Sequence, residues 1–349
     1  MYILLLVIFD FSGQFQDGED MLAVMRSFPL WLVPVLCLTQ ISAGFFRFLE
    51  WHYYLGVIDA RDRISLKDSA IIFVSAFTMV VSPGKVAEVL KSVFLKMKTG
   101  VTIARSAPVV VAERVVDGLA VVITVTVGLI IARSSLELGE YGDIARGIIF
   151  VAAFLLFGGL IAVQIKPLAY FILDKIVARL PLLRRLHLPL TEFYESSREV
   201  FLLRHVIPTT IMGLGVYFSS TAGFVLIMLG FGVSFSWELV LQIGFIVGVS
   251  SAVGALSFVP NGAGVTEITN FAMLQALVAP NHPEVTAGVA AAAALMQGFF
   301  HKWFRVLVGL GVAFVYRRRL FTSELETEIQ QMEAERAARK EAQPALTVE

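Results

Sequence analysis

The chemistry this chain offers is ionisable side chains set inside apolar sequence. Glu113, Arg114 and Asp117 interrupt the apolar run 104–132, and His301, Lys302 and Arg305 interrupt the run 286–316. Each run follows a segment with a break in its middle: Pro83-Gly84-Lys85-Val86-Ala87-Glu88 within 68–95, and Pro260-Asn261-Gly262-Ala263-Gly264-Val265-Thr266-Glu267 within 237–278. In lipid, broken helices and buried charge are costly, and they are tolerated only inside protein or around a wet cavity. The pattern therefore points to a path through a bilayer.

Glu88 and Glu267 each follow a break, close to a half-helix whose N-terminal amides and dipole attract anions. Lys85 adds a full positive charge to the first break. Two readings stand: the glutamates hold the broken backbone or titrate during transport while the amides and Lys85 receive an anionic headgroup, or each glutamate caps orphan amides. Gly262 and Gly264 read as turn geometry.

Arg114 and Asp117 are three apart on a helix and Glu113 and Asp117 four apart, so the three share a face. An unpaired arginine at the centre of a spanning helix costs about 2.5–3.5 kcal/mol, so pairing is expected. Arg114 is then either a phosphate ligand in an inner cavity or half of a structural ion pair with Asp117. His301 titrates near neutral pH in water and is a candidate proton carrier. Lys302 reads as a side chain that snorkels to the cytoplasmic surface, with Trp303 nearby in an aromatic belt. Arg47, Glu50 and Trp51 close the first intact span. They read as an interfacial Arg47–Glu50 pair with an aromatic anchor, or else Arg47 guards the cytoplasmic mouth of a lipid path.

The elements that must hold these groups follow from composition and charge placement. Apolar residues make up 57% of the chain and charged residues 16%, which excludes a soluble protein. Lys plus Arg equals Asp plus Glu at 28 each, so nothing favours nucleic acid. The one cysteine, Cys37, excludes an intrachain disulfide or a multi-cysteine metal site, and no metal or cofactor is expected. Spanning runs are 28–55, 104–132, 147–165, 206–230 and 286–316. The apolar stretch 1–9 is shorter than the roughly 20 residues a span needs and lacks the flanks of a signal peptide. It reads as the stub of a truncated first helix, with an amphipathic lead-in to residue 27.

Arg61, Arg63, Lys67, Lys96, Lys98, the basic stretch 166–205 and Arg317 to Arg319 mark the cytoplasmic side, whereas 134–143, 231–238 and 279–285 carry no Lys or Arg. Both broken segments must then start and finish on one side, as re-entrant hairpins entering from opposite faces. The expectation is an all-α, polytopic transmembrane helical bundle of two inverted repeats, 28–132 and 206–316, each containing a broken re-entrant helical hairpin. Residues 133–205 link them through a span and a basic amphipathic segment, broken at Pro181 and Pro189, that lies in the headgroup plane. Residues 317–349 form a cytoplasmic tail.

Taken in order, Arg47 with Trp51, Pro83-Gly84-Lys85-x-x-Glu88, Glu113-Arg114-x-x-Asp117 and the Gly-rich break 260–267 resemble the transmembrane, flippase-like region of lysylphosphatidylglycerol synthase. That region is shared by a large group of bacterial and archaeal integral membrane proteins, and the resemblance runs over about residues 30–316. In the bifunctional synthases the membrane region is associated with moving aminoacylated phosphatidylglycerol between leaflets, and a separate soluble domain makes the lipid. Nothing resembling that domain follows Arg319, so the resemblance implies translocation without synthesis and no enzyme activity. Ala87 stands where a glycine commonly precedes the glutamate, which alters packing at the first break.

The leading expectation is a multi-pass flippase or transporter of the plasma (inner) membrane, its C-terminus cytoplasmic. It would move an anionic or aminoacylated phospholipid, or a polyprenyl-phosphate lipid. Lys85, Glu88, Arg114, Asp117, Glu267 and Arg305 are its substrate-binding candidates; Arg47, Glu113 and His301 are candidates for gating or proton transfer. The alternatives are a membrane-embedded lipid-modifying transferase, with Glu88, Glu267, His52 and His301 as available bases or nucleophiles, and a non-transporting scaffold that holds a lipid-modifying enzyme through the tail after Arg319.

Overall fold

A backbone amide in hydrocarbon has no water to bond, so an apolar run of spanning length folds as a helix that satisfies its own ladder. A computed structural model describes residues 21–79, 86–131, 139–179, 184–257 and 259–320, and every regular element among them is helical. The elements are α1 Met21–Ser27, α2 Leu32–Val57, α3 Leu66–Ser75 continued by a 3-10 turn Ala76–Met79, α4 Val86–Thr99, α5 Ile103–Ile131 and α6 Gly139–Gln164. There follow α7 Lys166–Phe171 with a π turn Ile172–Val177, α8 His187–Val200, α9 Leu203–Gly230, α10 Trp237–Leu256 and α11 Val265–Met273 with a π turn Leu274–Val278. The last long helix is α12 Ala287–Gly298 and α13 Arg305–Val315, joined by a π turn Phe299–Phe304.

Leu32–Val57, Leu203–Gly230, Trp237–Leu256 and Ala287–Val315 are each long and apolar enough to cross a membrane, and Ile149–Gln164 is so together with Lys166–Lys175 across a 75° bend. α5, with 29 residues, is about 43 Å long at the helical rise. The two hairpins expected as mirror images differ in arm length. The first arm of the first segment, α3, has 10 residues, whereas α10 has 20 and is itself of spanning length.

Local chemistry explains the ends. Ser65 caps α3 by accepting from the Asp68 amide at 3.1 Å, Ser236 caps α10 through Leu239 at 3.0 Å, and Thr286 caps α12 through Val289 at 3.2 Å. Pro189, expected to break the linker, instead lies in the first turn of α8, where a helix has no use for its amide; Pro181 lies outside the described residues. Pro208 sits inside α9 and leaves the Arg204 carbonyl one turn earlier without its ladder donor. The Tyr53 hydroxyl of α2 faces that carbonyl at 3.4 Å and the His205 Nδ1 at 3.0 Å.

Small residues set the packing, as they do where lipid tails provide no hydrophobic drive between helices. A Cβ on Gly215 of α9 would lie 2.6 Å from the Phe46 ring of α2, and one on Gly223 would lie 2.8 Å from the Thr39 hydroxyl. Between them Ser42 and Ser219 bond across the seam at 3.0 Å. α13 packs as closely on the first broken segment, because a Cβ on Gly309 would lie 2.9 Å from the Val74 carbonyl oxygen and 3.0 Å from the Thr78 amide.

Two large apolar cores and a small one around Ala291, Ala292 and Leu295 form among the described residues. One large core gathers Leu32 and Leu36 of α2, Val125 of α5, Phe224 and Met228 of α9 and Ile243 of α10; the other gathers Trp51, Tyr54 and Leu55 of α2, Val109 and Ala112 of α5 and Val206 of α9. Along α2 the order is thus apolar, then Gln40, Arg47 and Glu50, then apolar again. The buried charge lies between the two large cores.

Candidate functional site

A charged cluster occupies this middle layer. Arg47 of α2 reaches across to α5, its Nη1 donating to Asp117 Oδ2 at 2.9 Å, and Arg114 Nη1 meets the same oxygen at 3.0 Å from one turn before. One carboxylate oxygen is therefore shared by two guanidinium groups. A third, Arg305 at the start of α13, donates to Gln40 Oε1 at 3.4 Å and lies within electrostatic reach of Arg47, Arg114 and Asp117. Three α-helical elements bring these arginines together. Among the described residues no acceptor meets the buried Nε–H of Arg47 or of Arg305. Arg114 keeps 38% of its side chain accessible and Asp117 22%, so the cluster is open on one side.

Beside it lies a more deeply buried pair, joined to the cluster where Arg114 Nη2 comes within 3.8 Å of Glu113 Oε2. Lys91 of α4 donates to Glu113 Oε2 at 2.7 Å, with both side chains almost fully buried. The ammonium also sits 5.2 Å from the Trp51 ring and 5.0 Å from the Phe73 ring, while Trp51 Nε1 donates to the Ser69 hydroxyl at 3.2 Å. Glu113 is thereby tied to the helix that follows the first break.

The second break is built differently. Asn261, Gly262 and Gly264 adopt left-handed backbone, with φ of 55°, 60° and 85°. Gly262 is also needed for space, since a Cβ there would lie 3.0 Å from the Gly254 Cα. Glu267, completely buried in the first turn of α11, accepts from the Gly264 amide at 2.8 Å and from the Thr266 hydroxyl at 3.0 Å. Lys302, on the π turn Phe299–Phe304, donates to Glu267 Oε1 at 2.9 Å and to Thr266 Oγ1 at 2.6 Å. A π turn widens the helix by one residue per turn, and here it carries both His301 and Lys302. The His301 Nδ1 is 3.5 Å from the Ser220 hydroxyl.

Several expectations are met and others are corrected. The Arg114–Asp117 pair is present, and the capping reading of Glu267 is present together with an ion pair that spacing did not reveal. Lys302 does not snorkel to a surface: its Nζ is buried against Glu267, because a carboxylate enclosed there needs a countercharge. Arg47 pairs with Asp117 on another helix and not with Glu50 three residues on. Glu50 is fully buried, and among the described residues no group donates to either carboxyl oxygen. Lys85 and the side chain of Glu88 lie outside what the structure describes. Lys91 was missed, although its placement on the buried face of α4 with Phe94 and Leu95 was a usable signal. Gln40, an acceptor for Arg305, carried no signal beyond being polar within an apolar run.

The cluster is suited to holding an oxyanion, since guanidinium forks match phosphate oxygens and bind them in pairs. Among the described residues no group of three or more His, Cys, Asp or Glu side chains is arranged to hold a metal ion. No curated protein matches the chain. A family model, however, matches residues 2–309, nearly the whole length, and on that match the chain belongs to the lysylphosphatidylglycerol synthase TM region family.

Proposed function

We propose that this membrane protein is a lipid flippase or transporter, and that Arg47, Arg114 and Arg305 receive the phosphate of a lipid headgroup while its tails stay in the bilayer. The observation that carries the reading is the sharing of Asp117 by two arginines, with a third arginine close by and buried guanidinium donors left over. Arg47 and Arg305 each keep a buried Nε–H that meets no acceptor among the described residues, while Arg114 also stands 3.8 Å from Glu113 Oε2; between apolar cores such donors favour an anion most. The cargo class is an anionic or aminoacylated phospholipid, or a polyprenyl-phosphate lipid. Asp117 sets the spacing of the forks, Glu267 and Lys302 hold the second break in shape, and His301 stands beside the path. The reading assigns no chemical transformation of the lipid to this chain.

The same proposal places the chain in the plasma (inner) membrane with the C-terminus cytoplasmic, since Arg317, Arg318 and Arg319 follow the last helix. It keeps the two broken segments as hairpins entering from opposite faces. Single cysteines at K98C and N281C in a C37A background test this by labelling in sealed vesicles, where opposite accessibility is expected and labelling from one side overturns the arrangement. Transport is tested by reconstituting the full chain into vesicles with fluorescent phosphatidylglycerol and a polyprenyl phosphate. Exchange between leaflets well above protein-free vesicles, and its loss in R114A, is expected; no exchange of either lipid removes the proposal.

A further inference from the structure

Glu50 is the carboxyl group that neither the ion pairs nor the proposed binding site uses. It is completely buried on α2, one turn after Arg47 and directly before Trp51, and among the described residues nothing donates a hydrogen bond to either of its oxygens. Its electrostatic neighbours come from several elements. Glu113, Arg114 and Asp117 act on it from α5 and Arg47 from its own helix, while the Tyr54 hydroxyl one turn on is engaged by Thr209 of α9. Lys91 of α4 is spent on Glu113, and Arg305 of α13 acts on the same arginine and aspartate groups.

We propose that Glu50 is a proton-exchange site coupled to the occupancy of the arginine cluster, so that an anionic headgroup and a proton bind together. The inference rests on the headgroup reading above and adds a coupling ion to it. With the cluster empty, Arg47 and Arg114 offset part of what burial and the nearby Asp117 and Glu113 carboxylates cost an ionised Glu50. An anion seated on those guanidinium groups cancels that offset, and a carboxylate with neither donor nor countercharge is then the costliest group in the layer. Taking one proton from water turns it into a neutral acid; when the anion leaves, the proton returns to water. The two bindings favour each other, and by linkage the effect is reciprocal: a bound proton strengthens anion binding as much as a bound anion strengthens proton binding. Anion affinity therefore falls as pH rises through the range in which Glu50 gives up its proton. Lys91 beside it is already engaged by Glu113 at 2.7 Å.

Two measurements on the full chain test this. Calorimetric titration with short-chain phosphatidylglycerol, in buffers of different ionisation heat, counts protons taken up on binding. About one proton per headgroup is expected for the native chain, with affinity falling by up to about tenfold per pH unit, the limit for one linked proton. E50Q retains binding with no proton uptake and a flat pH profile. Infrared difference spectra of the chain in lipid discs, with and without the same probe or inorganic phosphate, follow the protonated carboxyl stretch directly. A band that grows on anion binding, is absent in E50Q and is moved but kept in E50D supports the site and covers the case in which E50Q folds poorly. Binding without proton uptake, or a band indifferent to E50D, overturns the coupling and leaves the headgroup reading intact. No response to either probe overturns both together.

Discussion

The Glu267–Lys302 pair and the Arg47–Arg114–Asp117–Arg305 cluster both bury charge in apolar surroundings, yet they are finished to different degrees. Glu267 accepts from an amide, a hydroxyl and an ammonium, and Lys302 has a carboxylate, a hydroxyl and the Gly262 carbonyl at 3.4 Å. In the cluster a single carboxylate oxygen serves two arginines, and among the described residues the Nε–H groups of Arg47 and Arg305 meet no acceptor. A completed network rigidifies a fold, whereas an incomplete one is held at a cost in stability and has capacity for a ligand. A different contrast separates the two breaks. After the first, the helix carries the lysine and the following span the glutamate, as Lys91–Glu113; after the second, the helix carries the glutamate and the span the lysine, as Glu267–Lys302. Both pairs fasten a half-helix to a long helix, with the charges exchanged.

The largest expected effect breaks the finished network. K302M or E267Q leaves one charge or one polar group buried without its partner, which costs about 3–5 kcal/mol. The purified chain should then melt far below the native one or fail to elute as a single species, with partial recovery in K302M/E267Q. A native melting profile in the single variants would place that pair outside the stabilising framework.

The cluster should respond the other way. R114A or R47A removes a charge-assisted contact worth about 1.5–3 kcal/mol to a ligand, or roughly ten- to a hundredfold in lipid exchange. The melting temperature should move much less than in K302M, because each arginine shares its carboxylate with another. R47K keeps charge but loses the fork, and should fall between the native chain and R47A. An equal loss of stability and exchange in R114A would erase the distinction between the two regions.

G309A probes the joint between them. Its methyl would press on the Val74 carbonyl and the Thr78 amide, both backbone, so overpacking of about 1–3 kcal/mol is expected, with slowed exchange if α13 shifts Arg305. S65A is the smallest change, a lost helix cap of about 1 kcal/mol at an exposed helix start. It should lower the melting temperature slightly and leave exchange untouched.

Much of this is legible in the sequence. Four of the expected spanning runs match helices to within about four residues at each end, and all but the last residue of the run 147–165 falls inside the longer helix Gly139–Gln164, because run length against bilayer thickness is a one-dimensional quantity. The Arg114–Asp117 pair was legible for the same reason: three residues on a helix fix a shared face. The left-handed break at 261–264 was announced by its glycines and asparagine. The difference in arm length between the broken segments was less legible, because Pro and Gly mark where a chain can turn and not how far it stays helical first.

The sequence by itself determined a helical membrane protein with charge at mid-span and two interrupted segments. Only the tertiary structure decided which charges meet across helices. Arg47 and Asp117 are 70 residues apart, Lys302 and Glu267 35, and Lys91 and Glu113 22, each pair on different helices. Periodicity orders side chains around one helix but says nothing of the rotation and depth at which a neighbour docks. Those are set by close packing at Gly215, Gly223 and Gly309, and through them by which buried charge is neutralised and which is left for a ligand.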